Sequence, residues 1–312
     1  MRVYLAPMEG VVDHLMRDML TRVGGFDLCV TEFVRVVDQK LPHKTFFRLC
    51  PELHNGCKTP SGVPVKIQLL GQHPQWLAEN ALTAVELGSP GVDLNFGCPA
   101  KTVNKSKGGA VLLQYTQQLH DIVSAVRQAV PAHLPVTAKI RLGYEDKSLA
   151  IDNAIAIDEA GASELVVHAR TKTEGYRPPA YWDWIKKIKA ATRLPVIANG
   201  EIWNYEDALR CMADSGCDDL MIGRGALAMP NLAWHIRGEQ APMSWTDLSQ
   251  LLIDYSGYEI FGDKGRYYPN RIKQWCGYLK RQYPQAETLF GAIRSLQKAD
   301  DIVKVLRQSA HL

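Results

Sequence analysis

The residue with the clearest chemical potential is the cysteine of Asn95-Phe96-Gly97-Cys98-Pro99. A free cysteine is usually a small buried hydrophobe, and that reading applies to Cys29, Cys211, Cys217 and Cys276. Cys98 instead stands on a turn shaped by glycine and proline. With an unperturbed pKa of about 8.5 a thiol is mostly protonated at neutral pH and can act as a general acid. A thiolate nucleophile would need a base beside it. His168 is the obvious candidate, but the neighbouring Arg170 favours anion binding there.

Lys139 lies within an apolar run, Val136 to Ile140, with Arg141 just after it. Three roles are open to it: a Schiff-base lysine, a structural ion pair, or a cation that stabilises negative charge on a bound cofactor such as a reduced flavin. Gln68 both donates and accepts, which suits the pyrimidine edge of such a ring. Gly200 and Gly223-Arg224-Gly225 follow two further apolar runs. Backbone N–H groups there could hold a phosphate, with Arg224 adding a charged contact.

Positioning these groups requires a regular scaffold. Short apolar, β-branched runs occur at Val3–Pro7, Leu28–Glu32, Val63–Leu70, Val92–Asn95, Val136–Ile140, Leu165–His168, Val196–Asn199 and Leu220–Ile222, with helical stretches between them. Eight strands within about 240 residues predict a (β/α)8 TIM barrel, in which polar residues at the C-terminal strand ends build the active site. A weak repeat supports this: Gly88, Gly161 and Gly216 each end a helical stretch just before an apolar run, where a left-handed cap is expected. Asn231–Pro242 reads as a linker. Beyond it, Leu248, Leu251, Leu252, Tyr255 and Tyr258, then Ile272, Trp275 and Leu279, then Phe290, Ile293 and Leu296 recur at helical spacing. The expected organisation is a catalytic barrel, residues 1–242, and an all-helical C-terminal domain, residues 243–312.

Composition narrows the class. The 312 residues are 46% hydrophobic and 22% charged, as in an ordinary globular protein. The seven cysteines form no C-x-x-C pair and have no histidines at finger spacing, so neither a disulfide framework nor a zinc site is expected. Glu9 comes too early for a signal peptide, and no apolar run is long enough to span a membrane. A cytoplasmic protein with no metal and no membrane partner is the expectation. The net charge of +3 is small but uneven: residues 244–312 hold ten Lys/Arg against seven Asp/Glu, whereas the first 243 hold 26 of each sign.

Taken in order, Ala6-Pro7-Met8-Glu9-Gly10-Val11, Gln68-Leu69-Leu70-Gly71, Asp93-Leu94-Asn95-Phe96-Gly97-Cys98-Pro99, Lys139-Ile140-Arg141-Leu142-Gly143, His168-Ala169-Arg170-Thr171, Ala198-Asn199-Gly200-Glu201-Ile202 and Met221-Ile222-Gly223-Arg224-Gly225-Ala226 make the chain resemble the bacterial tRNA-dihydrouridine synthases. The likeness covers essentially the whole chain. Glu32-Phe33-Val34-Arg35-Val36 and Arg271-Ile272-Lys273-Gln274-Trp275 resemble most the type that acts on uridine 16 of the D loop. The resemblance implies reduction of uridine to 5,6-dihydrouridine, with hydride passing from FMN N5 to uracil C6, a proton from Cys98 to C5, and NADPH reloading the flavin. It implies FMN contacts at Pro7, Met8, Glu9, Gln68, Lys139, His168, Asn199, Gly200, Glu201, Gly223 and Arg224. Asn95 and Arg141 would hold the uracil edge and Arg170 would touch substrate. The uridine would have to leave its stack to lie on a flavin. A monomer is expected.

The basic tail then has a use. Lys264, Arg266, Arg271, Lys273, Lys280 and Arg281 alternate with Tyr267, Tyr268, Trp275, Tyr278 and Tyr283, a mixture suited to tRNA phosphates and bases. Trp275 is expected inward, and Arg271 and Lys273 outward. Arg35, Tyr176, Tyr278 and Arg294 are further candidates for positioning tRNA. Lys101, Lys105 and Lys107 make the loop after Cys98 unusually basic, either as phosphate contacts or as solvated side chains. The competing readings are a flavin barrel acting on a free pyrimidine such as dihydroorotate, which leaves the tail without purpose, a non-catalytic RNA-binding barrel, and a Schiff-base aldolase using Lys139.

Overall fold

The computed structural model describes residues 1–261 and 267–309, so Lys264 and Arg266 of the basic tail lie outside the described residues. Eight parallel strands form a closed barrel: β1 Val3–Leu5, β2 Leu28–Arg35, β3 Val65–Leu70, β4 Val92–Phe96, β5 Val136–Arg141, β6 Glu164–His168, β7 Val196–Asn199 and β8 Leu220–Ile222. Closure comes from β1 on β8, where Val3 pairs with Leu220 and Leu5 with Ile222. All eight expected strands are present. β2 runs three residues further than expected, past a register shift between Val30 and Phe33, and so carries Arg35 to the catalytic rim.

Strand side chains alternate between two environments. Val65, Ile67 and Leu69 of β3, Val92, Leu94 and Phe96 of β4, and Val136, Ala138 and Ile140 of β5 join the core shared with the surrounding helices. The intervening residues point into the barrel. There Tyr4, Ala6, Val30, Val166, Ile197 and Met221 form a small apolar cluster, while Lys66, Gln68, Asp93 and Thr137 are buried and polar. The hydrophobic burial that closes the barrel is therefore carried by its outer face, which leaves half the interior free for polar groups. Gly88, Gly161 and Gly216 have φ of +109°, +89° and +67°, the left-handed conformation expected where helices end before strands.

Two expectations need correction. The stretch read as a linker is packed structure. Leu232, Ala233 and Ile236 are buried, Trp234 Nε1 donates to the Val23 carbonyl at 3.1 Å, and Asn231 donates to the Ala241 carbonyl at 2.8 Å and accepts from the Met243 N–H at 3.0 Å. Its glycine and proline shape a compact turn. Likewise Arg271 and Lys273 do not point freely outward. Arg271 donates to the carbonyls of Gly10 at 2.8 Å and Val11 at 3.2 Å and pairs with Asp13 at 3.0 Å, and Lys273 donates to the Leu296 carbonyl. Long side chains can cap nearby carbonyls with their charged ends, which helical spacing alone does not show.

The tail comprises helices Trp245–Phe261, Tyr268–Leu279, Pro284–Ile293 and Ala299–Ser309. Trp275, 2% exposed, faces inward as expected. Its Nε1 donates to the Leu227 carbonyl at 3.0 Å, and Tyr255 meets its ring edge-on at 5.1 Å. Ile272, Trp275 and Leu279 belong to the same continuous core as the barrel helices. The tail is thus fixed beside the C-terminal face of the barrel.

Candidate active site

At that face lies a cavity of about 650 Å³, within the range of cofactor-sized sites, roughly 300–1,000 Å³. Most of the sequence-predicted residues line it: Pro7, Met8, Glu9, Gln68, Asn95, Cys98, Lys139, Arg141, His168, Tyr176, Asn199, Gly200, Glu201, Gly223, Arg224 and Tyr278. The strand ends, and a tyrosine from the tail, bring them together. Arg35, Arg170, Arg271, Lys273 and Arg294 do not line it. Arg35 is exposed at the rim and donates to Ser106 Oγ at 2.5 Å. Arg294 is exposed at the end of the Pro284–Ile293 helix.

Cys98 is the only one of the seven cysteines that is not fully buried. Partial burial pushes its thiol above the ordinary value near 9; an N–H at Ala100 opposes this, and Glu9 reinforces it. The sulfur is therefore an S–H at neutral pH, a proton donor in waiting. Its backbone is fixed from both sides. Asn95 Oδ1 accepts from the N–H groups of Gly97 and Cys98, both at 2.9 Å. The Cys98 carbonyl accepts from Asn104 Nδ2 at 2.9 Å and from the Ala110 N–H at 3.1 Å. Gly109 has φ +69°, and a Cβ there would lie 2.9 Å from the Cys98 carbonyl oxygen, so glycine permits that close approach. Lys101, Lys105 and Lys107 are exposed on this same loop.

Cations dominate the β5–β8 side. Lys139 donates to Asn199 Oδ1 at 3.1 Å, while Asn199 Nδ2 donates to the Met221 carbonyl at 2.8 Å. Burial, with Arg141 nearby, pushes Lys139 down to about 8. Arg141 is 3% exposed and joins three carbonyls, Gly97 at 2.8 Å, Thr171 at 3.1 Å and Gly175 at 3.0 Å, tying the loops after β4 and β6. His168 is buried, and burial together with Arg141, Lys139, Arg170 and Arg224 holds its pKa well below 6.5; the ring is neutral. Arg224 lies 4.5 Å from the Tyr176 ring centre and 5.0 Å from that of Trp203.

Arg170 is fully buried behind the cavity wall, donating to the Pro179 carbonyl at 3.1 Å and to Glu201. Glu201 also accepts from Trp203 Nε1 at 3.0 Å and lies 3.7 Å from Arg224. Burial would raise the Glu201 carboxyl, but Arg170 and Trp203 hold it below its ordinary value. Trp203 was not singled out from the sequence, although it follows Asn199-Gly200-Glu201-Ile202 directly. Its ring is covered by Arg281 of the tail at 3.7 Å, and its carbonyl accepts from Gln282 at 3.0 Å. It connects site and tail. Glu32, a lining residue that accepts from the Gly10 N–H, and Asp93 were also missed; the two-residue alternation along β4 would have marked Asp93 as an inward partner of Asn95.

This donor set suits a flat ligand with a negative charge. Arg170 and Arg224 face Glu201. Beyond burial, which acts first, repulsion from Arg141 lowers the pKa of Lys139, while repulsion from Arg141, Lys139, Arg170 and Arg224 together lowers that of His168. An anion between them would relieve that repulsion. Gly223 approaches Met8 so closely that a Cβ would lie 3.3 Å from its sulfur, and a Cβ on Gly200 would lie 3.0 Å from the His168 ring. Backbone is thus exposed where a phosphate or ring could approach. Among the described residues no cluster of His, Cys, Asp or Glu could hold a metal ion, and no helix is long and apolar enough to cross a membrane.

The family model described as "Dihydrouridine synthase (Dus)" matches residues 4–304. A protein of Shewanella oneidensis named tRNA-dihydrouridine(16) synthase is 62% identical over 311 residues, 100% of this chain and 99% of its own. One of the same name from Escherichia coli strain K12 is 54% identical over 308 residues, 98% of each chain. Among solved structures, morphinone reductase in complex with tetrahydroNAD aligns with a TM-score of 0.53 over 78% of this chain and 88% of its own, at 13% identity, a likeness of fold alone.

Proposed function

The chain belongs to the dihydrouridine synthase family, and from that premise we propose that it reduces a uridine of the tRNA D loop, at position 16, to 5,6-dihydrouridine. FMN would be the cofactor and NADPH the reductant, in a cytoplasmic monomer. The observation that carries this reading is that a protonated thiol, Cys98, shares one cavity with a cation cluster suited to a flavin.

When bound, FMN supplies the hydride chemistry. The residues around it bind and orient. Pro7, Met8, Glu9 and Gln68 would flank the ring, with Lys139 and Asn199 at its polar edge, and His168, Gly200, Glu201, Gly223 and Arg224 would receive the ribityl phosphate side. Asn95 and Arg141, whose side chains already order the turns at Gly97 and Gly175, would meet the uracil. Cys98 then donates its proton to C5 of the base, and burial keeps that proton available at neutral pH. Arg170 would act on substrate through Glu201 rather than by contact, given its burial.

We assign residues 1–242 to this chemistry and 243–312 to holding the tRNA. Tyr278 and Tyr176 at the cavity edge, with Arg35 and Arg294 exposed outside it, would guide the flipped nucleotide and its neighbours. Arg271 and Lys273 would contribute by fixing the tail. Two measurements test the proposal. Mapping dihydrouridine in tRNA from cells with and without the protein should show loss at position 16 only. Cys98→Ala should retain flavin and tRNA binding while turnover falls about 10²–10⁴-fold; unchanged turnover would remove Cys98 from the reaction.

A further inference from the structure

Below the cavity a line of buried polar groups runs from the Cys98 turn into the barrel. Its polarity can be read link by link. The N–H groups of Gly97 and Cys98 can only donate, so the Asn95 atom that faces them, at 2.9 Å, is Oδ1. Asn95 Nδ2 must then face Gln68, and it donates to Oε1 at 2.7 Å. That leaves Gln68 Nε2 to donate to Asp93 Oδ2 at 2.7 Å. From the other side Lys66 Nζ lies 3.4 Å from Thr137 Oγ1, which donates to Asp93 Oδ1 at 2.6 Å. Both lines of donors converge on Asp93, which is 2% exposed.

We propose that Asp93 is the positioning residue that sets which way round the carboxamides of Gln68 and Asn95 face, and through them the turn that presents Cys98. A carboxamide can turn over at little steric cost, because its oxygen and nitrogen are nearly the same size. Gln68 is fully buried, so without an acceptor beneath it Nε2 would stand unpaired. Turning over only exchanges an unpaired Nε2 for an unpaired Oε1, so the orientation of Gln68 is no longer fixed. Whenever it is turned, Asn95 must present Oδ1 to it and Asn95 Nδ2 opposes two backbone donors. The Cys98 turn would open. Asparagine at 93 escapes this outcome: its oxygen can accept from Gln68 while its nitrogen donates to Thr137, whose proton can turn to the Val92 carbonyl, 3.4 Å away.

The proposal takes Cys98 as the proton donor assigned above, so its test includes a readout that needs no turnover. Cys98 is the one cysteine not fully buried, and iodoacetamide therefore reports on its turn in the flavin-free protein. Losing one buried hydrogen-bond acceptor should make alkylation of Asp93→Leu about 10-fold faster and its kcat at least about 10-fold lower, with KM for tRNA within about 2-fold. Asp93→Asn, which also removes a charge that favours protonated Lys139, should keep alkylation within about 3-fold of wild type. The proposal is overturned if Asp93→Leu alkylates and turns over like wild type, or if Asp93→Asn alkylates as fast as Asp93→Leu. Should Asp93→Leu not fold, the cycle of Asp93→Asn, Thr137→Val and the double variant decides. Each single change leaves an orienting partner, whereas the double removes the hydroxyl that fixes the amide, so alkylation should exceed the product of the two single effects; an additive result overturns the proposal. A wild-type enzyme that made no dihydrouridine would refute the function and leave the alkylation series still readable.

Discussion

Lys139 offers a quantitative test of how the cavity is charged. Burial and Arg141 bring it from 10.5 down to about 8, which corresponds to about 3 kcal/mol of destabilisation when the lysine is charged. Between those two values the unfolded chain holds the proton and the folded chain has released it. The unfolded state then binds more protons, and the stability of the wild type rises with pH across that window. Lys139→Met keeps the length of the side chain but removes the charge, and it leaves Asn199 Oδ1 without its donor at 3.1 Å, a loss of about 1 kcal/mol. The flavin-free variant should therefore be more stable than wild type by about 2 kcal/mol at pH 7, an advantage that shrinks above pH 8 and reverses by about pH 10. Urea unfolding of both proteins at several pH values measures this directly, and other titrating groups cancel in the difference. Adding FMN should restore the advantage of the wild type even at pH 7, because the anion favours the charged lysine. A difference that stays flat from pH 7 to 10, or a variant less stable at pH 7, would refute the account of a strained cation.

Further outcomes follow from the packing. Arg271→Ala should lower folding stability by about 1–3 kcal/mol, because it releases Gly10, Val11 and Asp13; a melting temperature equal to wild type would deny the tie. Arg294→Ala should leave that temperature unchanged and weaken tRNA binding, with the salt slope reduced by about one; unaltered binding would take Arg294 off the RNA face. Gly225→Ala places a Cβ 2.1 Å from the Ile202 carbonyl oxygen, and the required backbone shift should destabilise the fold by more than about 1–3 kcal/mol. A soluble variant melting like wild type would show that the β7 and β8 loops can separate freely.

Arg281 covers Trp203, which in turn donates to Glu201 in the cavity wall. The tail therefore meets the cavity wall through one indole ring and one carboxylate.

The barrel was legible in the sequence because each strand buries its outer side chains against helices, and that burial demands apolar residues at every second position. The eight runs, the glycines at 88, 161 and 216, and the polar strand ends all follow from local rules about period and backbone conformation. Most of the candidate site was legible for the same reason: a residue at the C-terminal end of a barrel strand has little choice but to face the cavity. What only the tertiary structure decided are the partnerships across the fold. Arg271 and Lys273 had the spacing of exposed residues, yet their long side chains reach carbonyls that come close only after the tail has docked. Arg170 had the company of a substrate contact and is instead buried against Glu201. Asp93 looked like one more strand residue until its oxygens met donors from β3 and β5. Periodicity reports which side of an element is covered, whereas hydrogen-bond partners lie tens of residues away, and the folded geometry alone chooses them.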